Sequence, residues 1–144
     1  MTWPPGAGPH RVLIDTSAYY AFADREEGRH GVASAIRRRI TSEDWFAFTT
    51  NFVLAETHAL VLRRLGRTLA LRFLDTVEHS AVLVVRVTEA DEARARQILH
   101  QYADKDFSLT DAASFAVMER LRIPYAFTFD RNFIQYGLAA LTPT

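Results

Sequence analysis

Hydrophobic and polar residues follow one another along this chain in blocks whose spacing predicts strands and helices in turn. Short apolar runs that are rich in β-branched and aromatic residues are typical of strands. The predicted strands are Arg11–Ile14, Trp45–Thr49, Ala81–Val87, Tyr125–Thr128 and a last short strand at Ala139–Leu141. The segment Ala81–Val87 (AVLVVRV) is nearly continuous in apolar residues, which predicts a strand buried on both faces.

Apolar positions three and four residues apart predict helices between these strands. The predicted helices are Ser17–Ala23, Gly31–Ile40, Asn51–Leu65, Thr68–Glu78, Thr88–Tyr102, Thr110–Leu121 and a short turn at Asn132–Tyr136. Gly66 is the predicted C-cap of the longest helix. Thr88 and Asp91 resemble a capping box. The segment Asp104–Ser108 is predicted to be a polar loop.

The alternation of strands and helices indicates an α/β fold. Right-handed βαβ crossovers give a mostly parallel sheet that helices cover on both faces. We find no repeat and no linker after residue 10, so we expect one domain over 11–144 and a loose Pro/Gly-containing tail over 1–10. In sheets of this type a ligand binds outside the carboxyl ends of the strands, which is where we look for chemistry.

Composition narrows the function classes. With 144 residues, 49% of them hydrophobic and 24% charged, the chain fits one domain with a real core. Its 17 basic and 17 acidic residues cancel, which excludes binding to nucleic acid by bulk charge alone. The absence of cysteine excludes disulfides and a thiol nucleophile. We find neither a signal peptide nor a bilayer-spanning apolar run, and we expect a cytoplasmic protein without membrane contact.

Four acidic residues stand out against this pattern. Asp15 directly follows the first predicted strand, and Asp130 lies two residues after the strand Tyr125–Thr128. Asp111 lies at the start of the preceding helix, and Glu56 interrupts a mostly apolar helix. Three of the four therefore fall at the predicted ligand edge.

Each acid also has a purely structural interpretation. Asp15 and Asp130 suit N-caps or Asx turns, and Asp111 can complete a capping box with Ser108. Glu56 can point to solvent. Taken together, however, converging carboxylates raise one another's pKa, and a divalent cation offsets that repulsion. Hard oxygen ligands without a histidine or thiol suit Mg²⁺ or Mn²⁺.

Four sequence motifs in order resemble the PIN-domain ribonucleases, and within them the VapC-type toxins of bacterial toxin–antitoxin pairs. The motifs are VLIDTSAYYAF around Asp15, NFVLAETHALV around Glu56, SLTDAASFAVMERLRI around Asp111 and AFTFDRNF around Asp130. The resemblance runs from about Arg11 to Gly137.

The resemblance implies a three-layer α/β/α sandwich with a parallel sheet of about five strands. It also implies Mg²⁺- or Mn²⁺-dependent cleavage of RNA, a cognate antitoxin partner and a homodimer. The family's acidic quartet, catalytic and metal-binding, falls on Asp15, Glu56, Asp111 and Asp130. Ser17 falls where a hydroxyl supports the site. Asp106 is a further acid, either a metal ligand or, as we favour, an acceptor of loop hydrogen bonds.

Several other residues have two interpretations. The arginine clusters at 37–39 and at Arg63, Arg64 and Arg67 are either solvated helix faces, which we favour for any single arginine, or phosphate contacts. Arg131 is the basic residue nearest to Asp130 in sequence. His58 has no partner at ligand spacing and is interpreted as structural. Tyr19, Tyr20 and Phe22 belong either to the core or to a partner surface.

Three alternative functions remain open on sequence alone. A phosphoryl-accepting receiver-like domain also places acids at strand ends, but Lys105, the only lysine, lies before a helix instead of after a late strand. A haloacid-dehalogenase-type phosphatase needs Asp-x-Asp, whereas Thr16 and Ser17 follow Asp15. A non-catalytic binding module with the same fold is the third alternative.

Overall fold

The computed structural model describes residues 10–144, and within this range five strands alternate with seven helices. The strands are β1 (Arg11–Ile14), β2 (Phe46–Thr50), β3 (Leu83–Val85), β4 (Tyr125–Phe127) and β5 (Ala139–Ala140). The helices are α1 (Thr16–Ala23), α2 (His30–Ser42), α3 (Asn51–Leu65), α4 (Arg67–Glu78), α5 (Glu89–Gln101), α6 (Leu109–Leu121) and α7 (Asn132–Tyr136). The predicted alternation is therefore confirmed.

The sheet has the strand order β3-β2-β1-β4-β5, and every neighbouring pair is parallel. The central strand β1 is in register with both neighbours, since Leu13 faces Phe48 on β2 and Ala126 on β4. The carboxyl ends of β1, β2 and β4 consequently meet at one edge. The sheet is fully parallel, where the sequence predicts a mostly parallel one.

Two hydrophobic cores lie on opposite faces of this sheet. On one face, Leu13 and Phe48 belong to a cluster that contains buried residues of α5 and α6. On the other face, Val12 and Phe127 pack with buried residues of α1 and α2. Successive strand residues point to opposite faces, so both layers of helices use the same strands. This arrangement confirms the three-layer α/β/α sandwich.

The edge strand β3 corrects one prediction. It covers only Leu83–Val85, shorter than the predicted Ala81–Val87, and Leu83 is 50% exposed. Because β3 lies at the end of the sheet, it has a strand neighbour on one side only. The prediction of a strand buried on both faces is therefore wrong: hydrophobic composition alone does not distinguish an edge strand from a central one.

Helix ends follow the predicted capping signals. Gly66 ends α3 with φ at 94°, in the region that favours glycine. The capping box of Thr88 and Asp91 opens α5, and the box of Ser108 and Asp111 opens α6. Both boxes satisfy backbone N–H groups that have no partner within their helices.

The predicted tail, residues 1–10, falls outside the described residues except for His10. The ring of His10 stacks on Trp45 with 4.7 Å between centroids. Within residues 10–144, no helix is both long enough and apolar enough to cross a membrane.

Candidate functional site

A cavity of about 160 Å³ opens at the carboxyl edge of the sheet, where β1 and β4 end. All four acids of the predicted quartet line it, together with Ser17. The other lining residues are Thr16, Val53, Leu60, Thr110, Ser114 and Phe133. The structure thus brings together residues separated by up to 118 positions in the chain.

Asp15 lies at the bottom of this site and is only 5% exposed. Its Oδ1 accepts hydrogen bonds from Ser17 Oγ at 2.8 Å and from the backbone N of Ala18 at 3.2 Å. Its Oδ2 accepts a hydrogen bond from Thr128 Oγ1 at 2.8 Å. Asp15 is therefore the N-cap of α1, as its structural interpretation predicts, and it also faces the cavity.

Burial dominates the electrostatics of Asp15. It raises the pKa of this carboxyl from 3.8 to about 7, although hydrogen bonds from Thr128, Ser17 and Ala18 act in the opposite direction. The negative charge of Asp111 raises the pKa further. A carboxylate placed in this way gains from a nearby positive charge.

Asp111 and Asp130 are held on one side of the cavity by Asn132. The Nδ2 of Asn132 donates hydrogen bonds to Asp111 Oδ2 at 3.0 Å and to Asp130 Oδ2 at 3.4 Å. The backbone N of Asn132 donates to Asp130 Oδ1 at 3.0 Å, which forms the Asx turn expected for Asp130. These contacts fix two carboxylates from separate segments against each other.

Asp111 also has a raised pKa. Burial is the main cause, and the charge of Asp130 adds to it, while hydrogen bonds from Ser108 and Asn132 lower the pKa. Asp15, Asp111 and Asp130 therefore repel one another in the absence of a counter-ion.

Glu56 lies differently from the three aspartates. It is exposed on α3, at the rim of the cavity, and its side chain forms no hydrogen bond within the described chain. The solvent-facing interpretation of Glu56 is therefore correct, and the residue still lines the cavity. A side chain of this length can turn toward the cavity without a change in the backbone.

The donors of this site fit a hydrated divalent cation. Besides the carboxylates, the hydroxyls of Thr16 and Ser114 are buried at the cavity without a hydrogen-bond partner in residues 10–144. Buried hydroxyls of this kind are suited to contact the water shell that Mg²⁺ retains. Over the same residues, no three acidic or histidine side chains already converge on a single point.

The two secondary candidates differ. Ser17 both donates to Asp15 and accepts a hydrogen bond from the backbone N of Phe129 at 2.8 Å, so it joins α1 to the segment that carries Asp130. Asp106 is exposed, does not line the cavity and accepts no hydrogen bond in the part of the chain that the structure describes.

Thr128 and Asn132 are two further residues of the site; both occur in the motif AFTFDRNF, but neither is among the residues predicted from the sequence. Thr128 Oγ1 donates to Asp15 and accepts from the backbone N of Asp130 at 2.9 Å. The spacing of Thr128 and Asn132, two residues to either side of Asp130, is the signal that identifies them. Each can reach the turn in which Asp130 lies.

Other candidate residues lie away from the cavity. Arg131 is exposed, and neither it nor His58 lines the cavity. Lys105 pairs with Asp104 at 2.9 Å, so it does not provide the lysine of a receiver-like site.

A second cavity, of about 300 Å³, lies between α1, α2 and α4. Its lining includes Tyr19, Phe22 and Phe73 and contains no carboxylate. Most of its surface is apolar, and its charged lining residues are Arg25, Arg37 and Arg72, whereas acids line the first cavity. Tyr20, the third aromatic candidate, lines neither cavity.

Comparison with known proteins agrees with this geometry. The family model of the PIN domain matches residues 12–138. The chain is 33% identical over 132 residues to the 23S rRNA-specific endonuclease VapC20 of Mycobacterium tuberculosis, covering 92% of this chain and 98% of that protein. It is 29% identical over 121 residues to the ribonuclease VapC26 of the same organism, covering 84% and 87%.

Solved structures give the same result. The crystal structure of M. tuberculosis VapC20, a toxin that cleaves the sarcin–ricin loop, matches with a TM-score of 0.83 at 31% identity. That match covers 92% of this chain and 99% of the other. DNA-bound VapBC from Salmonella typhimurium matches with a TM-score of 0.66 at 16% identity, over 93% and 98% of the two chains, and supports the fold alone.

Proposed function

Because this chain belongs to the PIN-domain family and, within it, to the VapC ribonucleases, we propose that it is an endoribonuclease toxin that uses Mg²⁺ or Mn²⁺ in its carboxylate cavity. One observation carries the location of the site: four acids from different elements line one cavity at the carboxyl edge of a parallel sheet. Burial raises the pKa of two of these acids, Asp15 and Asp111, and a bound cation would supply the counter-charge that offsets it.

In this proposal Asp15 and Asp111 hold the principal ion, because Asp15 is buried, Asp111 is half-buried, and burial raises the pKa of both carboxyls. Glu56 and Asp130 complete the shell or orient the attacking water. A bound divalent cation supplies a lower pKa for water and neutralises charge on the phosphate.

The remaining residues keep the carboxylates in position. Thr128 and Ser17 hold the two oxygens of Asp15, so its plane is fixed. Asn132 holds Asp111 and Asp130 together against their repulsion. Such contacts orient ligands before substrate arrives, which reduces the reorganisation needed during the reaction.

The proposed substrate is a structured RNA loop in the cytoplasm, since VapC20 acts on 23S rRNA. A cognate antitoxin and a second copy of the chain are the proposed protein partners. The apolar cavity lined by Tyr19 and Phe22 supports the antitoxin, because an apolar surface of that size gains free energy when a partner covers it.

Cleavage of a defined RNA tests the proposal. We expect the purified protein to cleave an end-labelled stem-loop with the sarcin–ricin sequence in the presence of Mg²⁺ or Mn²⁺, and EDTA to abolish cleavage. Asp15→Asn and Asp111→Asn are expected to lose at least a hundredfold in rate. Cleavage that persists in EDTA, or an unaffected Asp15→Asn protein, would contradict the proposal.

The same assay distinguishes the alternatives. A receiver-like domain would accept a phosphoryl group on Asp15 and leave the RNA intact. A non-catalytic module would bind RNA without cleaving it under any metal condition. Neither is favoured, because Lys105 lies outside the cavity and all four acids line it.

A further inference from the structure

Along helix α3, residues spaced four apart extend from the carboxylate cavity toward the C-terminal end of the helix. Glu56 and Leu60 line the cavity, and Arg64 follows at the same spacing of four residues. Residues four apart lie on one face of a helix. Arg64 is therefore on the face of α3 that lines the cavity, about 12 Å along the helix axis from Glu56, at 1.5 Å per residue.

Helix α1 presents a matching line. Thr16 lines the cavity, and Tyr20 follows four residues later. The two lines meet, since the guanidinium of Arg64 lies over the ring of Tyr20, 5.2 Å from its centroid. The Arg64–Tyr20 contact is thus one helical turn beyond the cavity residues Thr16 and Leu60.

The guanidinium of Arg64 interacts with both the ring and the hydroxyl of Tyr20. Tyr20 Oη donates to Asp24 Oδ2 at 2.7 Å, and the backbone N of Glu26 donates to Asp24 Oδ1 at 3.0 Å. Arg64 itself forms no ion pair with a carboxylate of residues 10–144, whereas Arg29 and Arg39, which also stack on aromatic rings, pair with Glu27 and Glu43. An arginine that is stacked, exposed and unpaired is suited to bind a phosphate with two parallel hydrogen bonds.

The chain as a whole has no net charge to attract RNA, and its cavity is acidic. Substrate affinity therefore requires local positive groups close to the cavity. We propose that Arg64, held on Tyr20, binds a backbone phosphate of the RNA next to the scissile phosphate. This assignment rests on the proposed nuclease function and deepens it.

Arg63 provides a matched control. It is exposed on the same helix, carries the same charge and, seven residues after Glu56, lies on the same face of α3, but it has no aromatic contact in the described chain. Arg63→Gln and Arg64→Gln change the net charge equally. Only Arg64→Gln removes the guanidinium that lies over the ring of Tyr20.

Binding is measured in an Asp15→Asn background, so that RNA remains intact. The probe is a fluorescein-labelled form of the same sarcin–ricin stem-loop, whose loop is single-stranded, followed by anisotropy over a range of KCl concentrations. We expect Arg64→Gln to weaken binding about tenfold and to reduce the slope of log Kd against log salt by about 0.7, the value for one lost phosphate contact on a single strand. Arg63→Gln is expected to change Kd less than threefold. Arg64→Lys, which retains charge without the planar fork, should fall between the two.

Equal losses for Arg63→Gln and Arg64→Gln, an unchanged salt slope, or no binding of the probe at all would overturn the Arg64 assignment. Unfolding by heat, followed by circular dichroism, verifies that the compared proteins are folded. Failure of the proposed function is seen separately. If the unsubstituted protein cleaves no RNA with Mg²⁺ or Mn²⁺, the proposed nuclease function is wrong, and the proposed phosphate contact of Arg64 is wrong with it. If that protein cleaves RNA and Arg64→Gln binds normally, the Arg64 assignment alone is wrong.

Discussion

The Nδ2 of Asn132 donates a hydrogen bond of 3.0 Å to Oδ2 of Asp111, and this contact joins α7 to the first turn of α6 across 21 residues of sequence. The same nitrogen lies 3.4 Å from Asp130 Oδ2. One neutral side chain therefore keeps two mutually repelling carboxylates at fixed positions.

Asn132→Ala is expected to reduce cleavage about 10- to 100-fold, the usual effect of removing a group that orients metal ligands. Without the amide, Asp111 and Asp130 move apart and bind the cation less well. The measurement is the single-turnover rate of RNA cleavage at increasing Mg²⁺, where part of the loss should be recovered at high concentration. Gln135→Ala, an exposed position on the same helix, is the control. Equal rates for the two variants would contradict this role.

The raised pKa of Asp15 predicts an unusual dependence of folding stability on pH in the metal-free protein. Its folded pKa is about 7, above the ordinary value of 3.8, so the folded state binds this proton more tightly than the unfolded state. The contribution of Asp15 to stability is therefore present below pH 4 and is lost as the pH rises to about 7. The full loss is on the order of 4 kcal/mol, from 1.36 kcal/mol per pKa unit.

Urea unfolding in EDTA at several pH values measures this effect. From pH 4 to pH 7 the unsubstituted protein should lose free energy of unfolding relative to Asp15→Asn, so the variant becomes the more stable of the two by an increasing amount. Asparagine is also a good N-cap, so α1 is expected to stay intact. Asp106→Asn removes an exposed carboxylate and should show no such growth. A constant difference for Asp15→Asn would show that the carboxyl titrates normally.

Most of the fold follows from sequence pattern because local and global signals agree. The alternation of apolar strands with capped helices predicts the parallel sheet, and Ser108 with Asp111 predicts the start of α6. The burial of β3 could not be predicted, because strand order is set by packing between distant segments. An apolar run at positions 81–87 reads the same whether the strand is central or at an edge.

The candidate site, too, could be predicted from the sequence only in part. Asp15, Asp111 and Asp130 could be placed at one edge because the ends of parallel strands meet there. Their structural interpretations as caps and turns are also correct, since each carboxylate accepts such a hydrogen bond and also lines the cavity. The bridge through Asn132 could not be predicted, because it depends on how α7 packs against α6.

Mg²⁺ or Mn²⁺ is expected to stabilise the folded protein, since in the proposed function the ion binds the folded carboxylate cavity and not the unfolded chain. At a free concentration 100 times Kd the gain is about 2.7 kcal/mol. Thermal unfolding with and without metal measures it as an increase in Tm. Asp111→Asn should lose the increase, and Asp106→Asn should keep it. Loss of the increase in Asp106→Asn would instead identify Asp106 as a ligand.

Thr128 links the two acids that follow β1 and β4. Its Oγ1 donates to Asp15 Oδ2 at 2.8 Å and accepts from the backbone N of Asp130 at 2.9 Å. The bond to Asp15 lowers the pKa of that carboxyl. Thr128→Val keeps the shape of the side chain and removes both hydrogen bonds.

Thr128→Val is therefore expected to raise the pKa of Asp15 further and to move the acidic limb of the pH–rate profile for RNA cleavage to higher pH. The maximal rate should fall about tenfold, since a hydrogen bond to a charged group contributes about 1.5–3 kcal/mol. Thr128→Ser restores the hydroxyl and should restore the profile. A loss of rate in Thr128→Ser, with none in Thr128→Val, would mean that the methyl group matters, through packing, and the hydroxyl does not. Recovery in Thr128→Ser alone ties the ionisation of Asp15 to this one hydrogen bond.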